Sequence, residues 1–302
     1  MPDTVRRAVG LAGLGNMGRP MTERLAAAGL LAAVHNRTHS TAREVAGALG
    51  VPACRTPAAL AVATDVLVTV VSDDEATAQL YDGPDGFLRA LRPGALCIEM
   101  STIGPEAVAA LGARVAAAGA ALVDAPVSGS TAMAANGELT ILAGGDPRDV
   151  ARARPVLDAL GTRTLHVGPL GAGAALKLAL NNIVYGLNQS VAESLVLAER
   201  AGIARECAYE ALAHSAVAAP FVHYRRAHFE RPGEQAPQMR LALAQKDLAL
   251  IDAFADSVGA SLPQAAVNRQ VLHDATAAGH GAEDVTSVAV HLRELASKRG
   301  DT

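Results

Sequence analysis

One stretch separates two kinds of sequence pattern in this chain, Gly168-Pro-Leu-Gly-Ala-Gly-Ala-Ala-Leu-Lys177-Leu-Ala-Leu-Asn181-Asn182, and it continues without proline to Arg200. Strand and helix signals alternate before it, and only helix signals follow it. The stretch predicts one long helix from about Gly171 to Arg200, about 45 Å in length at ~1.5 Å per residue. Such a helix is longer than one small domain needs, so we expect two domains, residues 1–167 and residues 168–302.

Lys177 is unusual because this chain otherwise uses arginine. Only three of its 26 basic residues are lysines, Lys177, Lys246 and Lys298. Lysine, unlike arginine, can lose and regain a proton near neutral pH when its surroundings lower its pKa. Lys177 and Asn181 stand four residues apart on the predicted helix and share a face, which Asn188 continues. We interpret this polar stripe as a candidate site. The alternative is that Lys177 is an ordinary surface lysine.

The composition narrows the class of protein. A length of 302 residues accommodates two domains. Half of the residues are hydrophobic, but only 3% are aromatic and there is no tryptophan, so the core must consist of alanine, valine and leucine. A net charge of −4 without any basic run argues against nucleic acid or an anionic membrane surface as a partner. No apolar run approaches a membrane span and no signal peptide is recognised, so we expect a cytoplasmic protein.

Cysteine and histidine usage predicts neither disulfides nor a metal. Cys54, Cys97 and Cys207 are odd in number and widely spaced, so we expect buried free thiols. The nine histidines form no HxxxH or HExxH pattern, so we expect no metal site.

The N-terminal segment carries a glycine fingerprint. Ala8–Ala12 predicts a strand, Gly13-Leu-Gly-Asn-Met-Gly18 follows it, and a helical pattern comes next. In this context GxGxxG indicates dinucleotide binding, because its glycines allow a tight turn, close approach to a pyrophosphate and close packing of helix on strand. The alternative is an ordinary glycine-rich turn. The candidate cofactor contacts are Gly13, Leu14, Gly15, Asn16, Met17 and Gly18.

The second predicted strand, Leu31–His35, ends in Asn36-Arg37-Thr38. An NAD-preferring site usually has a carboxylate here to bind the ribose 2′-hydroxyl. Arg37 offers a guanidinium and Thr38 a hydroxyl, groups that suit a 2′-phosphate. We therefore predict that NADP is preferred over NAD, with Asn36 as a further contact. The alternative is that Arg37 caps the next helix from solvent.

Further loops follow predicted parallel strands. Asp65–Val71 and Ala95–Met100 are apolar runs of the kind that form buried strands. The sequence places Val71, Ser72 and Thr102 at their carboxyl ends, where doubly wound sheets bind ligands.

A loop between two later predicted strands is small and rich in hydroxyl groups. It contains Ser128, Gly129 and Ser130, and lies between Ala120–Ala125 and Leu139–Ala143. Its amides and hydroxyls suit a carboxylate, although a Ser/Gly turn needs no ligand.

The region after the long helix predicts an all-helical domain. Its expected helices are Arg205–His214, Met239–Val258, Pro263–Ala278 and Glu283–Ala296. Between them, Pro220–Arg226 carries aromatic and cationic groups that suit either a cleft lining or an amphipathic helix surface.

Five segments together resemble one family, the β-hydroxyacid dehydrogenases, which include 3-hydroxyisobutyrate dehydrogenase, tartronate semialdehyde reductase and the glyoxylate and succinic semialdehyde reductases. The segments are Gly13–Met21, Met100–Ile103, Asp124–Gly129, Gly171–Asn181 and Lys246–Leu248. The resemblance implies an α/β Rossmann-type doubly wound sheet, a C-terminal all-α domain and a cleft between them.

The resemblance also implies roles for single residues. Lys177 is similar to the family's general acid/base and Asn181 to the neighbour that holds the substrate. Lys246 resembles the lysine near cofactor and substrate, Thr102 the cofactor-contacting hydroxyl, and Ser128 with Gly129 the substrate-carboxylate loop. The usual Gly at position 130 is Ser here, which adds a side chain beside the substrate.

The resulting hypothesis is an NAD(P)-dependent oxidoreductase that moves hydride between nicotinamide and a small 3-hydroxyacid or its aldehyde or keto form. Lys177 favours carbonyl chemistry over a second hypothesis, imine or larger-ketone reduction, because imine-reducing relatives commonly lack that lysine. A third hypothesis is a non-catalytic NADP(H) sensor or scaffold. The apolar helical faces lead us to expect a homodimer or homotetramer.

Overall fold

The computed structural model describes residues 8–300, so the expected entry of Met1–Arg7 into the first strand lies outside the described residues. The chain divides into two compact units, the first ending at Lys177 and the second beginning at Leu178. Each is described by itself below.

The first unit contains a doubly wound sheet with helices between its strands. The strands are β1 Val9–Ala12, β2 Leu31–His35, β3 Ala53–Cys54, β4 Val66–Thr69, β5 Leu96–Glu99, β6 Ala121–Asp124, β7 Val127–Ser128, β8 Leu139–Gly144 and β9 Gly161–Gly168. The order is β3-β2-β1-β4-β5-β6-β8-β7, with β9 paired to β8. Neighbours from β3 to β6 are parallel, whereas β8 is antiparallel to β6 and β7. This order confirms the predicted α/β class.

Helices connect these strands. They are α1 Gly18–Ala27, α2 His39–Leu49, α3 Pro57–Ala63, α4 Asp74–Asp82, α5 Pro105–Ala117, α6 Thr131–Asn136 and α7 Pro147–Leu160. Asp73 and Asp146 cap the N-termini of α4 and α7 through side-chain hydrogen bonds. Strands β1, β4 and β5 are buried along their whole length, because helices cover both faces of a parallel sheet.

The long helix α8 runs over Ala172–Arg200, as the sequence predicts. The helices that follow are α9 Arg205–Ala213, α10 Pro220–Glu230, α11 Leu241–Ser257, α12 Pro263–Ala277 and α13 Val288–Gly300. Leucine, alanine and valine side chains, joined by tyrosine and phenylalanine, form the core of this second unit. None of the helices within residues 8–300 combines the length and apolarity that crossing a bilayer requires.

The structure corrects several expectations. Strand β9 was not predicted because it is mostly exposed or half-buried and its sequence has no apolar run. The last helix begins at Val288 rather than Glu283 and includes Lys298. Only Cys97 of the three cysteines is buried. Cys207 is exposed because α9 turns Tyr209 and Ala213 toward the core instead.

Candidate active site

The predicted cofactor residues lie on loops at one edge of the sheet. Strands β1, β2, β4 and β5 are parallel neighbours, so the loops at their carboxyl ends lie side by side. Backbone hydrogen bonds join these ends: Gly13 N–H donates to His35 O at 3.0 Å, and Val70 N–H to Ala12 O at 2.9 Å. The topology therefore brings together residues that are widely separated in sequence.

The glycine turn has the geometry that the fingerprint predicts. Gly13 has φ +100°, and a Cβ there would collide with the Val70 carbonyl. A Cβ on Gly18 would collide with the Gly13 carbonyl, whereas one on Gly15 would meet no protein atom. Gly13 and Gly18 thus close the turn, and Gly15 leaves open space beside the backbone. The N-cap residue of α1, Met17, makes no side-chain hydrogen bond to the helix, and the backbone N–H groups of a helix N-terminus are suited to a phosphate.

Asn36 anchors the glycine turn to the end of β2. Its Oδ1 accepts a hydrogen bond from Leu14 N–H at 3.0 Å, and its Nδ2 donates to Thr38 O at 3.2 Å. Arg37 and Thr38 are exposed beside it. Thr38 occupies the N-cap position of α2, so Arg37 is not the capping residue.

A hydrogen-bond network joins the ends of β4 and β5. Glu99 is fully buried and accepts hydrogen bonds from Thr69 Oγ1 and from Ser101 N–H. Ser101 Oγ accepts in turn from Val71 N–H at 2.8 Å. Burial raises the pKa of Glu99 to about 7, against the opposing effect of the hydrogen bonds from Ser101 and Thr69. The network holds the backbone on which Val71, Ser72 and Thr102 stand.

The Ser128–Ser130 loop begins where β7 ends. Ser128 pairs with Thr140 of β8, and Gly129 has φ +147°, a conformation that favours glycine. Ser130 is the N-cap of α6, and its Oγ accepts a hydrogen bond from Met133 N–H at 3.2 Å. The hydroxyl that sequence reasoning assigned to the substrate therefore has a structural partner.

Asp124, the last residue of β6, binds the start of α8. Its Oδ1 accepts from Gly171 N–H and its Oδ2 from Ala174 N–H, both at 2.8 Å. A Cβ on Gly173 would collide with the Leu142 carbonyl and approach Asp124 Oδ2 to 2.8 Å. Asp124 and the glycines therefore position the first turns of α8, which carry Lys177.

Within the second unit, Asn181 and Lys246 meet at one carboxylate, that of Asp247. Asp247 Oδ2 accepts from Asn181 Nδ2 at 3.0 Å and from Tyr185 Oη at 2.6 Å. Lys246 Nζ lies 2.7 Å from Asp247 Oδ1. Asp247 is buried, and the adjacent lysine offsets its charge.

The polar stripe on α8 is largely buried. Asn181 and Asn188 are 5% and 1% exposed, and Asn188 Nδ2 donates to Val285 O at 3.2 Å. Lys177, one helical turn before Asn181, is half-buried. Asn181 and Asn188 thus make buried polar contacts, and the role of Lys177 stays a prediction.

Sequence reasoning assigned no role to Asp124, Asp247, Tyr185 or Glu99. The sequence itself marks two of these residues, because Glu99 and Asp124 are single carboxylates at the ends of buried apolar strands. Tyr185 stands four residues after Asn181 on the same helix face. Asp247 lies next to Lys246, but only the fold joins it to α8.

Two family models together match most of the chain. Residues 8–168 match the NAD binding domain of 6-phosphogluconate dehydrogenase, and residues 171–292 match the model for NAD-binding of NADP-dependent 3-hydroxyisobutyrate dehydrogenase. The chain belongs to the β-hydroxyacid dehydrogenase family. The resemblance predicted from five sequence segments is therefore confirmed. The protein is an NAD(P)-dependent oxidoreductase that acts on CH–OH groups and moves hydride between nicotinamide and a small hydroxyacid.

Named relatives of this β-hydroxyacid dehydrogenase span almost its full length. It is 31% identical to 2-(hydroxymethyl)glutarate dehydrogenase of Eubacterium barkeri, over 93% of each chain. It is 32% identical to L-threonate dehydrogenase of Cupriavidus necator, over 93% of this chain and 95% of the relative. The crystal structure of 3-hydroxyisobutyrate dehydrogenase from Salmonella typhimurium superposes with a TM-score of 0.86 at 28% identity, covering 94% of this chain and 99% of that one.

The residues at the sheet edge fit a nicotinamide dinucleotide. The open space beside Gly15, just before the N-terminus of α1, accommodates a pyrophosphate. When bound, the cofactor supplies the hydride chemistry. The protein's own contribution is binding, orientation and a proton.

Proposed function

We propose that Lys177 is the general acid/base of an NADP-preferring enzyme that interconverts a small 3-hydroxyacid and its aldehyde or keto form. The main support is the local geometry of α8. Lys177 stands one helical turn before Asn181, whose amide Asp247 holds. Asp124 binds the N-terminal turn of the same helix. A proton-transfer group requires a fixed position, and this helix is held on both sides of Lys177.

Each remaining residue has a proposed role in this reaction. Lys177 exchanges a proton with the alcohol or carbonyl oxygen. Asn181 and Lys246 bind the substrate, and Ser128, Gly129 and Ser130 form the loop that receives its carboxylate. Because the Ser130 hydroxyl caps α6, we propose that its effect on substrate choice is mainly steric.

The proposed cofactor contacts are the glycine turn and the loops beside it. Backbone groups of Gly13–Gly18 bind the phosphates, and Asn36, Arg37 and Thr38 bind the adenosine 2′-phosphate. Val71, Ser72, Thr102 and Lys246 are the proposed contacts of the nicotinamide half. In this proposal the first unit binds the cofactor, and the second unit binds substrate and forms the dimer or tetramer of a cytoplasmic enzyme.

Replacement of Lys177 tests the proposal. Lys177→Met retains most of the apolar stem, so folding and NADPH binding should persist while kcat falls by about 10² to 10⁴. Lys177→Arg keeps the charge but cannot release a proton, so it should be nearly as inactive. The assay is NADPH absorbance over a panel of small aldehydes, keto acids and imines. Lys298→Met, an exposed lysine on α13, is the matched control.

Three results would contradict the proposal. A Lys177→Arg enzyme with near-normal kcat would leave Lys177 as a binding charge. Turnover of imines but not carbonyl compounds would make the protein an imine reductase. NADPH binding without turnover of any panel member would favour the sensor or scaffold hypothesis.

A further inference from the structure

Two buried histidines and a carboxylate converge at the start of the C-terminal helix. His280 lies in the turn after α12, and His291 and Glu294 lie on α13. Their ligand atoms all lie within 4.8 Å of one another. Sequence reasoning searched for HxxxH and HExxH, whereas this cluster combines an i,i+3 His-x-x-Glu pair with a histidine from another element. The two sequence patterns on which the expectation of no metal site was based therefore do not cover this cluster.

The two imidazoles are strongly shielded from water. His280 and His291 are 8% and 6% exposed. His291 Nδ1 is buried without a hydrogen-bond partner among the described residues. A buried ring nitrogen without a partner is costly. Coordination to a metal ion is one way to satisfy it.

Glu283 completes an arrangement that is common around metal-bound histidines. His280 Nε2 lies 3.4 Å from Glu294 Oε2, and His280 Nδ1 lies 3.2 Å from Glu283 Oε1. In carboxylate–histidine–metal triads, one ring nitrogen binds the metal while the other donates to a carboxylate that fixes the tautomer. Here Nε2 points toward Glu294. Nδ1 makes no hydrogen bond among the described residues, but Glu283 lies close enough to accept one and orient the ring.

The cluster is open to solvent on one side. The Glu294 side chain is 49% exposed, which gives an ion access from solvent.

We propose that His280, His291 and Glu294 form a binding site for a divalent transition-metal ion of the zinc class, with Glu283 orienting His280. Two imidazoles and one carboxylate are a zinc ligand set, and water would complete the tetrahedron. This donor set suits zinc, nickel or cobalt better than calcium or magnesium, which prefer oxygen ligands. The site joins the turn after α12 to α13, so bound metal should stabilise the C-terminal part of the second unit.

Metal titration of the full-length protein tests this proposal. The protein is dialysed against a chelator and titrated with ZnCl₂ by calorimetry, and thermal unfolding is measured with and without zinc. We expect one ion per chain and a higher Tm with zinc, because a ligand that binds only the folded state stabilises it. CaCl₂ at the same concentration should leave Tm unchanged. Equal stabilisation by calcium would assign the effect to carboxylates and overturn the proposal.

Variants locate the ion. Glu294→Gln changes an exposed residue and should weaken zinc binding by at least tenfold. Glu283→Gln should weaken it by about 10- to 100-fold, as is usual for carboxylates that orient a metal ligand. His291→Gln should abolish binding, and His273→Gln, an exposed histidine on α12, should bind normally. If His291→Gln fails to fold, the zinc affinity of Glu294→Gln is the decisive measurement. Absence of zinc binding, or binding unchanged in Glu294→Gln, would overturn the proposal.

Discussion

Arg37 and Asn36 are adjacent but differ in how firmly they are held. Asn36 is fixed between Leu14 and Thr38, and Arg37 extends from this fixed backbone into solvent. An exposed guanidinium on a rigid loop suits a phosphate, because the backbone entropy has already been lost on folding.

The first prediction concerns cofactor choice. NADP should be preferred over NAD by roughly tenfold or more in kcat/KM, equivalent to about 1.4 kcal/mol. Arg37→Asp should reverse the preference, because a carboxylate repels the 2′-phosphate and accepts from a 2′-hydroxyl. Arg43→Asp makes the same charge change on α2 and should leave the preference for NADP unchanged. Equal turnover with both cofactors in the unmodified enzyme would contradict the assignment.

Glu99 provides a second prediction at this scale. Its pKa rises from 4.5 to about 7 on folding, chiefly through burial. The folded state therefore retains a proton that the unfolded chain releases between these values. The stability contributed by Glu99 is fully present below about pH 4.5 and is lost as pH rises through 7.

Glu99→Gln removes this pH dependence. The free energy of unfolding of the variant, relative to the unmodified enzyme, should increase by about 3 kcal/mol between pH 4.5 and pH 8. Urea unfolding at a series of pH values measures it. Parallel pH profiles for the two proteins would show that Glu99 does not titrate in this range.

At the scale of secondary structure, α8 depends on a contact outside itself. Its first turn has backbone N–H groups that no residue of the helix can accept. Asp124 supplies the acceptors for Gly171 and Ala174. Gly173 is needed because any side chain there would collide with Leu142. The position of Lys177 is thus set by the end of β6.

The third prediction follows from this contact. Asp124→Ala leaves two buried N–H groups without acceptors, so it should reduce the free energy of unfolding by roughly 3 kcal/mol, and by less in Asp124→Asn. We also expect a lower kcat, because the turn that carries Lys177 shifts. Chemical denaturation and kinetics measure both effects. As a control, Asp158→Ala removes an exposed carboxylate that is paired with Arg154. It should change neither the free energy of unfolding nor kcat. A comparable loss in this control would show that Asp124 has no special role.

At the scale of the whole molecule, α8 leaves large apolar side chains in solvent. Ile183 and Leu197 are 66% and 73% exposed and stand two heptads apart, so they share a face. Val196, Leu197 and Leu295 also line a groove of about 360 Å³. Exposed apolar surface of this kind is typical of protein–protein contacts.

The fourth prediction concerns assembly. If α8 forms the proposed subunit contact, light scattering should give a multiple of the 30.7 kDa chain mass. Leu197→Glu should shift the protein toward monomer, because it places a charge in an apolar interface. Val258→Glu changes an apolar, 59% exposed residue at the C-terminal cap of α11 and should leave the mass unchanged. An intact oligomer in Leu197→Glu would exclude this face.

The sequence by itself determined the fold class, the glycine turn, the long helix and the family, because these depend on local patterns. Hydrophobic period, caps and glycine positions act over a few residues and can be recognised in one dimension. Strand β9 was missed because it is mostly exposed or half-buried and has neither an apolar run nor a regular alternation. The first residue of α13 was misplaced because a short turn at Val285–Ser287 precedes it.

Only the tertiary structure decided which polar groups meet. Asn181 and Asp247 are 66 residues apart, Asp124 and Ala174 are 50 apart, and His280 and Glu294 come from different elements. No local propensity encodes such pairs, because they form only when packing removes the side chains from water and each buried donor or acceptor requires a partner. For the same reason the sequence predicts Ser130 as a substrate contact, which stays a prediction, and only the fold shows that its hydroxyl also accepts a hydrogen bond from Met133 N–H.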